Sequence, residues 1–155
     1  GAQMPLGQPP LSSGEQEAIR EWIEVGLLCG DGSCDGSGGE DWQNCPRDCG
    51  PRVPAAVQAV FDASCTNSGC HDRFTAMQNL DLSARAAAEN LVAVPSNQIG
   101  SVLVAAGDLA SSWMWTKVSE ESPSSGSRMP LGGPALSAAD LAIISSWIQS
   151  GAPSE

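Results

Sequence analysis

A pair of cysteines followed directly by a histidine is the most chemically informative feature of this 155-residue sequence. Residues 65–71 read CTNSGCH and contain the one histidine of the chain. This pattern is typical of c-type haem attachment, in which both thiols add to porphyrin vinyl groups and the adjacent imidazole binds the iron. The usual spacer has two residues, and here it has four. Because the additional residues can loop outward with help from Gly69, we expect Cys65, Cys70 and His71 to hold a haem.

Two other interpretations of the same residues stay open at this point. Cys65 and Cys70 could form a disulfide with His71 on the surface, and no haem would then be bound. A zinc site on these three side chains would need a fourth ligand. The other four cysteines lie together elsewhere in the sequence and are expected to be engaged there.

Haem iron needs a sixth ligand or an open face, and a second histidine is not available. Three methionines are candidates. Met77 follows His71 too closely to reach the opposite face easily, and Met114 lies between two tryptophans on a predicted helix and is expected in the core. Met129 lies 58 residues after His71, in a Gly- and Ser-rich loop made rigid by Pro130. We therefore predict Met129 as the sixth ligand.

Short helices with long connections are expected to position these residues. Val57, Val60 and Phe61 have helical spacing and predict a helix over 54–64, which leads into the cysteines. Further helices are predicted over 84–92, capped by Ser83, and over 112–118. Period-2 alternation is confined to 102–104. The predicted fold class is all-α, with plausible haem-pocket positions at Phe61, Leu80, Leu82, Trp113 and Trp115.

An internal repeat links the two ends of the chain. Residues 4–26 match residues 129–151 at eleven of 23 positions. Each copy has a serine followed three residues later by an acidic residue, which is the capping-box spacing, and each ends on a glycine. Helices are therefore predicted over 13–25 and 138–150. We interpret residues 1–28 as the tail of a preceding copy of the domain.

Four cysteines, Cys29, Cys34, Cys45 and Cys49, lie among Gly, Asp and Pro residues in 29–52 and predict a disulfide module made in an oxidising compartment. Their pairing is left open, since four cysteines allow three connectivities. Asp31, Ser33, Asp35 and Glu40 offer oxygen ligands for Ca²⁺. The twelfth position from Asp31 is Trp42, so the EF-hand pattern is incomplete, and a solvated acidic loop is the alternative.

Composition excludes several classes of protein. The net charge is −11, which argues against a nucleic-acid-binding protein and against a protein that binds anionic membranes. The sequence has no run of 18 apolar residues, so it predicts no membrane span. The sequence starts Gly-Ala-Gln without signal-peptide features, so we expect a mature or excised chain. Together with the cysteines, this predicts a periplasmic or extracellular location.

Residues 53–155 are predicted as the haem domain, and 53–153 resemble the class I-like cytochrome c domains of myxobacterial and planctomycete multidomain proteins. The resemblance rests on the stretch 57–62 before Cys65, on Cys70-His71, on Met129-Pro130-Leu131-Gly132, and on Leu136-Ser137, Trp147-Ile148 and Gly151-Ala152. It implies a cytochrome c fold around a covalent haem, with His71 and Met129 as the axial ligands. The four-residue spacer departs from the commonest family pattern.

The predicted function is electron transfer, without enzymatic activity, because His71 and Met129 would fill both axial positions. A thioether ligand raises the reduction potential. The expected partners are basic redox proteins, drawn to the acidic surface, and other copies of the chain in an array. The alternatives are a haem subunit of an oxidoreductase, which needs an open iron, and a non-redox secreted interaction or adhesion module without haem.

Overall fold

The computed structural model describes residues 11–17, 19–20, 34, 39–40 and 45–155 of the chain. The chain divides into two compact units, Gly1–Gly50 and Pro51–Glu155. The described part is helical, and its only β-pairing consists of isolated bridges, in agreement with the all-α prediction. None of the described helices has the length and apolar character that a bilayer crossing requires.

The first unit contains two described helical stretches. Residues 13–17 and 19–20 are helical, and Ser12 and Glu15 form the predicted capping box: the Glu15 N–H donates to Ser12 Oγ at 3.3 Å, and the Ser12 N–H donates to Glu15 Oε2 at 2.8 Å. The rest of the predicted helix over 13–25 lies outside the described residues. Helix α1, Pro46–Cys49, is a single turn in the cysteine-rich module.

The second unit is built from four helices: α2 Ala55–Ser64, α3 Ala87–Leu91, α4 Trp113–Ser119 and α5 Ala138–Gln149. Helix α5 packs against both α2 and α4. The backbone of Arg52 exchanges hydrogen bonds of 3.1 and 2.9 Å with the backbone of Glu155, so the two ends of the unit lie together. The core is made of the buried apolar side chains Val53, Val57, Val60, Phe61, Leu82, Ala87, Ala88, Leu91, Val104, Met114, Val118, Leu136, Ile144, Trp147, Ile148 and Ala152.

Helices α2 and α5 form where the sequence predicts them. Val57, Val60 and Phe61 are buried on one face of α2, as their spacing requires. In α5 the Ser137 hydroxyl accepts the Asp140 N–H at 3.1 Å, which satisfies one of the free donors at the helix start. Gly151 follows the helix with φ +99°, the left-handed conformation expected after a helix end.

The predicted helix over 84–92 is wrong in length and in its cap. Helix α3 covers only Ala87–Leu91, and Ser83 gives no side-chain cap. The Asp81 carboxylate accepts the Ser83 N–H at 2.9 Å, and residues 84–86 form a turn that ends at Ala86, whose φ of −127° is not helical. After α3, the predicted extended segment 102–104 makes isolated bridges, Val92 with Val104 and Pro95 with Val102, and no regular strand.

Candidate functional site

The cysteine–histidine motif forms a tight loop directly after α2. Cys65 is the residue after the helix, and its N–H donates to Phe61 O at 2.7 Å. The His71 N–H donates back to Cys65 O at 3.1 Å, so the spacer closes into a ring. Gly69 has φ +86°, and a Cβ added there would meet no atom within 4 Å. The spacer residues 67–69 are exposed, so the additional residues loop outward as expected.

The His71 imidazole is oriented by a backbone carbonyl. His71 Nδ1 lies 3.1 Å from Leu80 O, and a carbonyl can only accept, so Nδ1 carries the proton in this bond. The Nε2 atom then presents a lone pair. A second backbone bond, from the Leu82 N–H to His71 O at 2.8 Å, ties the same loop together. Metal-binding histidines commonly donate their other ring N–H to a carbonyl in this way.

Three side-chain amides hold the segment that supplies the Leu80 carbonyl. Gln58 Nε2, on α2, donates to Leu82 O at 3.1 Å. Asn90 Nδ2, on α3, donates to Asp81 O at 3.0 Å, and Asn97 Nδ2 donates to Gln78 O at 2.9 Å. We call residues 78–82 the proximal segment. Because its anchors come from three parts of the fold, the proximal segment is fixed relative to the whole unit.

Met129 lies in the loop before α5, and its backbone is anchored to α4. The Met129 N–H donates to Lys117 O at 2.7 Å. The side chain is half-buried and packs against the hydrophobic core. Met114 is buried in the core, as predicted, whereas Met77 is 47% exposed.

Two cavities meet at these residues. The first cavity has a volume of about 320 Å³ and the second of about 500 Å³. Cys65, His71 and Met129 line both, and Cys70 lines the second. The fold therefore brings all four predicted haem residues to the wall of one cavity, although they are separated by up to 64 positions in the sequence.

The predicted pocket residues divide into two groups. Leu80, Leu82 and Trp113 line the first cavity. Phe61 is completely buried in the core, and Trp115 packs against the core from its edge. Neither Phe61 nor Trp115 belongs to the walls of the two cavities, so the structure does not bring these two side chains together with the predicted haem ligands there. The helical spacing that places Phe61 on the inner face of α2 gave no indication of which part of the interior it would fill.

The two motif cysteines are both free thiols in different environments. Cys65 is half-buried, and Cys70 is exposed. Burial raises the pKa of the Cys65 thiol to about 11, with smaller contributions from Cys70 and Asp62. The Cys65 sulfur is therefore protonated at neutral pH and lies against the core.

The first cavity also has a charged side chain that the sequence motifs did not predict. Lys117, on α4, is buried and lines the first cavity. Its ammonium donates to Ser125 O at 3.1 Å and lies 5.6 Å from the centroid of the Trp113 ring. Burial lowers the pKa of Lys117. A lysine inside α4, on the same face as Trp113 and Met114, is the sequence signal that could have indicated this position.

In the cysteine-rich module, Cys34 and Cys49 form a disulfide, and Cys45 is also disulfide-bonded. Cys29, Asp31, Ser33 and Asp35 lie outside the described residues. Of the predicted Ca²⁺ ligands, Glu40 is described and is buried. Ligand atoms of Glu40, Cys45 and Asp48 lie within 4.8 Å of one another, but a disulfide sulfur is not a thiolate ligand. Asp48 is thus a neighbour of Glu40 that the sequence analysis did not identify.

No protein family, curated protein or solved structure matches this chain. The assignment of a function therefore rests on the chain's own residues and their geometry.

Proposed function

We propose that this protein transfers electrons through a covalently bound c-type haem. Cys65 and Cys70 would form the thioether bonds, and His71 and Met129 would be the axial ligands. The observation that carries the proposal is that all four side chains line one cavity, and three of them also line the cavity beside it. Both volumes, about 320 and 500 Å³, fall in the range of small-molecule and cofactor sites.

The His71 environment fits the role of a proximal ligand. With Nδ1–H donating to Leu80 O, the Nε2 lone pair is the one available to a metal, and the hydrogen bond makes the imidazole a stronger ligand. The amides of Gln58, Asn90 and Asn97 keep the accepting segment in place. An orienting shell of this kind favours metal ligation over the alternative of a surface histidine beside a disulfide.

The Met129 environment fits the role of the opposite ligand. Its thioether is half-buried on the wall shared by both cavities, and its loop is fixed to Lys117 O. Thioether ligation favours the reduced iron and raises its potential relative to a second imidazole. A haem held at both axial positions supplies one-electron chemistry and leaves no site for a substrate. For this reason we favour an electron carrier over an enzyme.

The resemblance to class I-like cytochrome c domains agrees with this assignment. The described second unit, Pro51–Glu155, is helical, and its long connections carry both Cys70-His71 and Met129. The first cavity is lined mainly by apolar side chains, including Leu103, Met114 and Val118, which exclude water from a bound porphyrin. Attachment through two thioethers would compensate for the small protein core.

Location and partners follow from charge and disulfides. The Cys34–Cys49 disulfide favours an oxidising compartment, and we propose a periplasmic or extracellular location. With a net charge of −11, the proposed partners are basic redox proteins, and the association should weaken as salt is raised. The repeat of residues 129–151 within 4–26 supports contacts between copies of the chain in an array.

The decisive experiment is maturation of the full chain in a host with c-type haem attachment machinery. Intact mass should show the polypeptide plus one haem, and a pyridine haemochrome spectrum should show both vinyl groups converted to thioethers. Reduced wild-type protein should not bind carbon monoxide, because the iron is six-coordinate. Met129→Ala should allow carbon monoxide to bind the iron. The matched control Met77→Ala should not, because Met77 lines only the second of the two cavities.

Each alternative gives a different result in this experiment. A bare polypeptide mass with a Cys65–Cys70 disulfide would overturn the proposal in favour of an interaction module. Carbon monoxide binding by folded, reduced wild-type protein would identify an open iron and favour a haem subunit of an oxidoreductase. One zinc per chain without haem would indicate a metal site on Cys65, Cys70 and His71.

A further inference from the structure

Lys117 is a buried positive charge without an anionic partner in the described part of the chain. The residue is only 7% exposed. No carboxylate oxygen of the described residues lies within 4.0 Å of the Lys117 ammonium. Burying an unpaired ammonium is costly, and lysines are rarely buried unless they are paired. The position is therefore suited to an anionic ligand.

The local polar contacts satisfy Lys117 only in part. An ammonium has three N–H donors, and among the described residues Lys117 makes one hydrogen bond, to Ser125 O. The Trp113 ring at 5.6 Å adds a weak attraction to the cation. Trp113 itself donates from Nε1 to Gln98 Oε1 at 3.3 Å. Donor groups thus outnumber acceptors where Lys117 and Trp113 meet the first cavity.

The wall of the first cavity indicates which kind of anion would fit beside Lys117. Lys117 shares this cavity with Cys65, His71 and Met129, and much of the remaining wall is apolar. A ligand that fits such a wall has an apolar body, and its anionic group would lie at Lys117, since no other lysine or arginine lines this cavity. We infer that Lys117 binds a carboxylate of the ligand in this cavity and, resting on the proposed function, that this carboxylate is a haem propionate.

Lys117 would then act on the electron-transfer properties of the site. A positive charge at a propionate offsets part of its negative charge, and the reduced iron, which carries one positive charge fewer, is stabilised. Removing the cation leaves a buried carboxylate unpaired and favours the oxidised state. Because the Met129 N–H donates to the backbone carbonyl of Lys117, substitution of the Lys117 side chain leaves this anchor of the Met129 loop in place.

The first test compares haem-loaded variants. Lys117→Met keeps the length and apolar stem of the side chain and removes the charge, and Lys117→Arg keeps the charge. We expect Lys117→Met to lower the equilibrium constant for reduction by about tenfold, or ~59 mV for a one-electron couple. Lys117→Arg should retain most of the wild-type potential. The control Arg73→Gln removes an exposed positive charge near the motif and should shift the potential less, because water screens it.

The second test needs no variant, because Lys117 is the only lysine in the sequence. Protein labelled with ¹³C at lysine Cε gives one signal. If the ammonium contacts a propionate, this signal should shift between the ferric and ferrous proteins and broaden in the paramagnetic state. The same test decides the question if Lys117→Met fails to take up haem.

The outcomes separate this inference from the proposed function. Two results together would overturn the inference and leave the electron-carrier proposal intact. They are a wild-type reduction potential in haem-loaded Lys117→Met, and a lysine signal in the wild-type protein that is the same in both oxidation states. Wild-type protein that carries no haem would overturn both. A lowered potential together with an oxidation-dependent lysine signal would support the carboxylate site.

Discussion

Substituting Gln58 by glutamate provides a quantitative test of how the proximal segment is held. Gln58 is 8% exposed, and its Nε2 donates to Leu82 O at 3.1 Å and to Asp62 Oδ1 at 2.7 Å. Gln58→Glu replaces this donor by a carboxylate of the same shape. Both hydrogen bonds are lost, and the new charge faces one carboxylate and one carbonyl oxygen.

The expected cost follows from these contacts. Two lost hydrogen bonds account for about 1 kcal/mol each. Repulsion between two carboxylates about 4 Å apart reaches roughly 4 kcal/mol at an effective dielectric of 20, but Asp62 is exposed and can turn toward water, which leaves about 1 kcal/mol. We therefore expect Gln58→Glu to lose about 3 kcal/mol of unfolding free energy at pH 7.

The control Gln58→Met separates charge from shape. Gln58 Oε1 is buried and makes no hydrogen bond with the described residues. Replacing the amide by a thioether loses two bonds but also removes this unsatisfied oxygen, so the net loss should be about 1 kcal/mol. The double variant Q58E/D62N exchanges donor and acceptor and should recover part of the loss.

The loss should also depend on pH. Burial and the neighbouring carboxylate raise the pKa of the introduced carboxyl in the folded state above its unfolded value of about 4.3. The destabilisation is therefore smaller below pH 4, where the protonated carboxyl can still donate one hydrogen bond, and it grows as the pH rises through that value. Urea unfolding followed by far-ultraviolet circular dichroism at pH 4 and pH 7, with a constant m-value, measures it. Equal losses for Gln58→Glu and Gln58→Met at pH 7 would refute the reasoning.

Three other predictions concern the thiols of Cys65 and Cys70, the Ser137 cap of α5 and the cysteine-rich module. In haem-free protein at pH 8, iodoacetamide should modify the exposed Cys70 before Cys65. Modification of Cys65 should be about a hundredfold slower in the folded protein than in urea, because its pKa is raised from 9.0 to about 11. Equal rates of Cys65 modification with and without urea would contradict the buried thiol. Ser137→Ala should cost about 1 kcal/mol, or about 4 °C in Tm by calorimetry, and an unchanged Tm would show that the cap is dispensable. Ca²⁺ should raise the unfolding temperature and Glu40→Gln should abolish the effect, whereas a transition insensitive to chelation would favour a solvated acidic loop.

Local signals predicted much of the helical framework. The spacing of Val57, Val60 and Phe61 predicted α2, and Ser137 with Asp140 predicted the start of α5, because a helix face and a cap are properties of neighbouring residues. The prediction for α3 rested on the same kind of local pattern, and it made the helix too long at both ends. Ala86 has a non-helical φ of −127°, and a capping pattern alone does not show whether the turn after the serine continues directly into a helix.

The candidate site was predictable in its reactive residues and not in its supports. Cys65, Cys70 and His71 are adjacent or nearly so, and their chemistry is visible in the spacing. The Leu80 carbonyl has no side-chain signal at all. Gln58 lies 24 residues from the carbonyl it binds, and a lone amide on a helix has no periodicity that would reveal its partner.

If the protein is the proposed electron carrier, the anchoring of the proximal segment also affects the rate of electron exchange. An electron moves fastest when the geometry around the iron is nearly the same before and after the transfer, because little nuclear rearrangement is then needed. Amides from α2, α3 and Asn97 restrain the backbone that carries the Leu80 oxygen, so in the proposed haem protein the imidazole would keep one orientation in both oxidation states. Loosening any of these amides should slow self-exchange between molecules, even where the absorption spectrum stays the same.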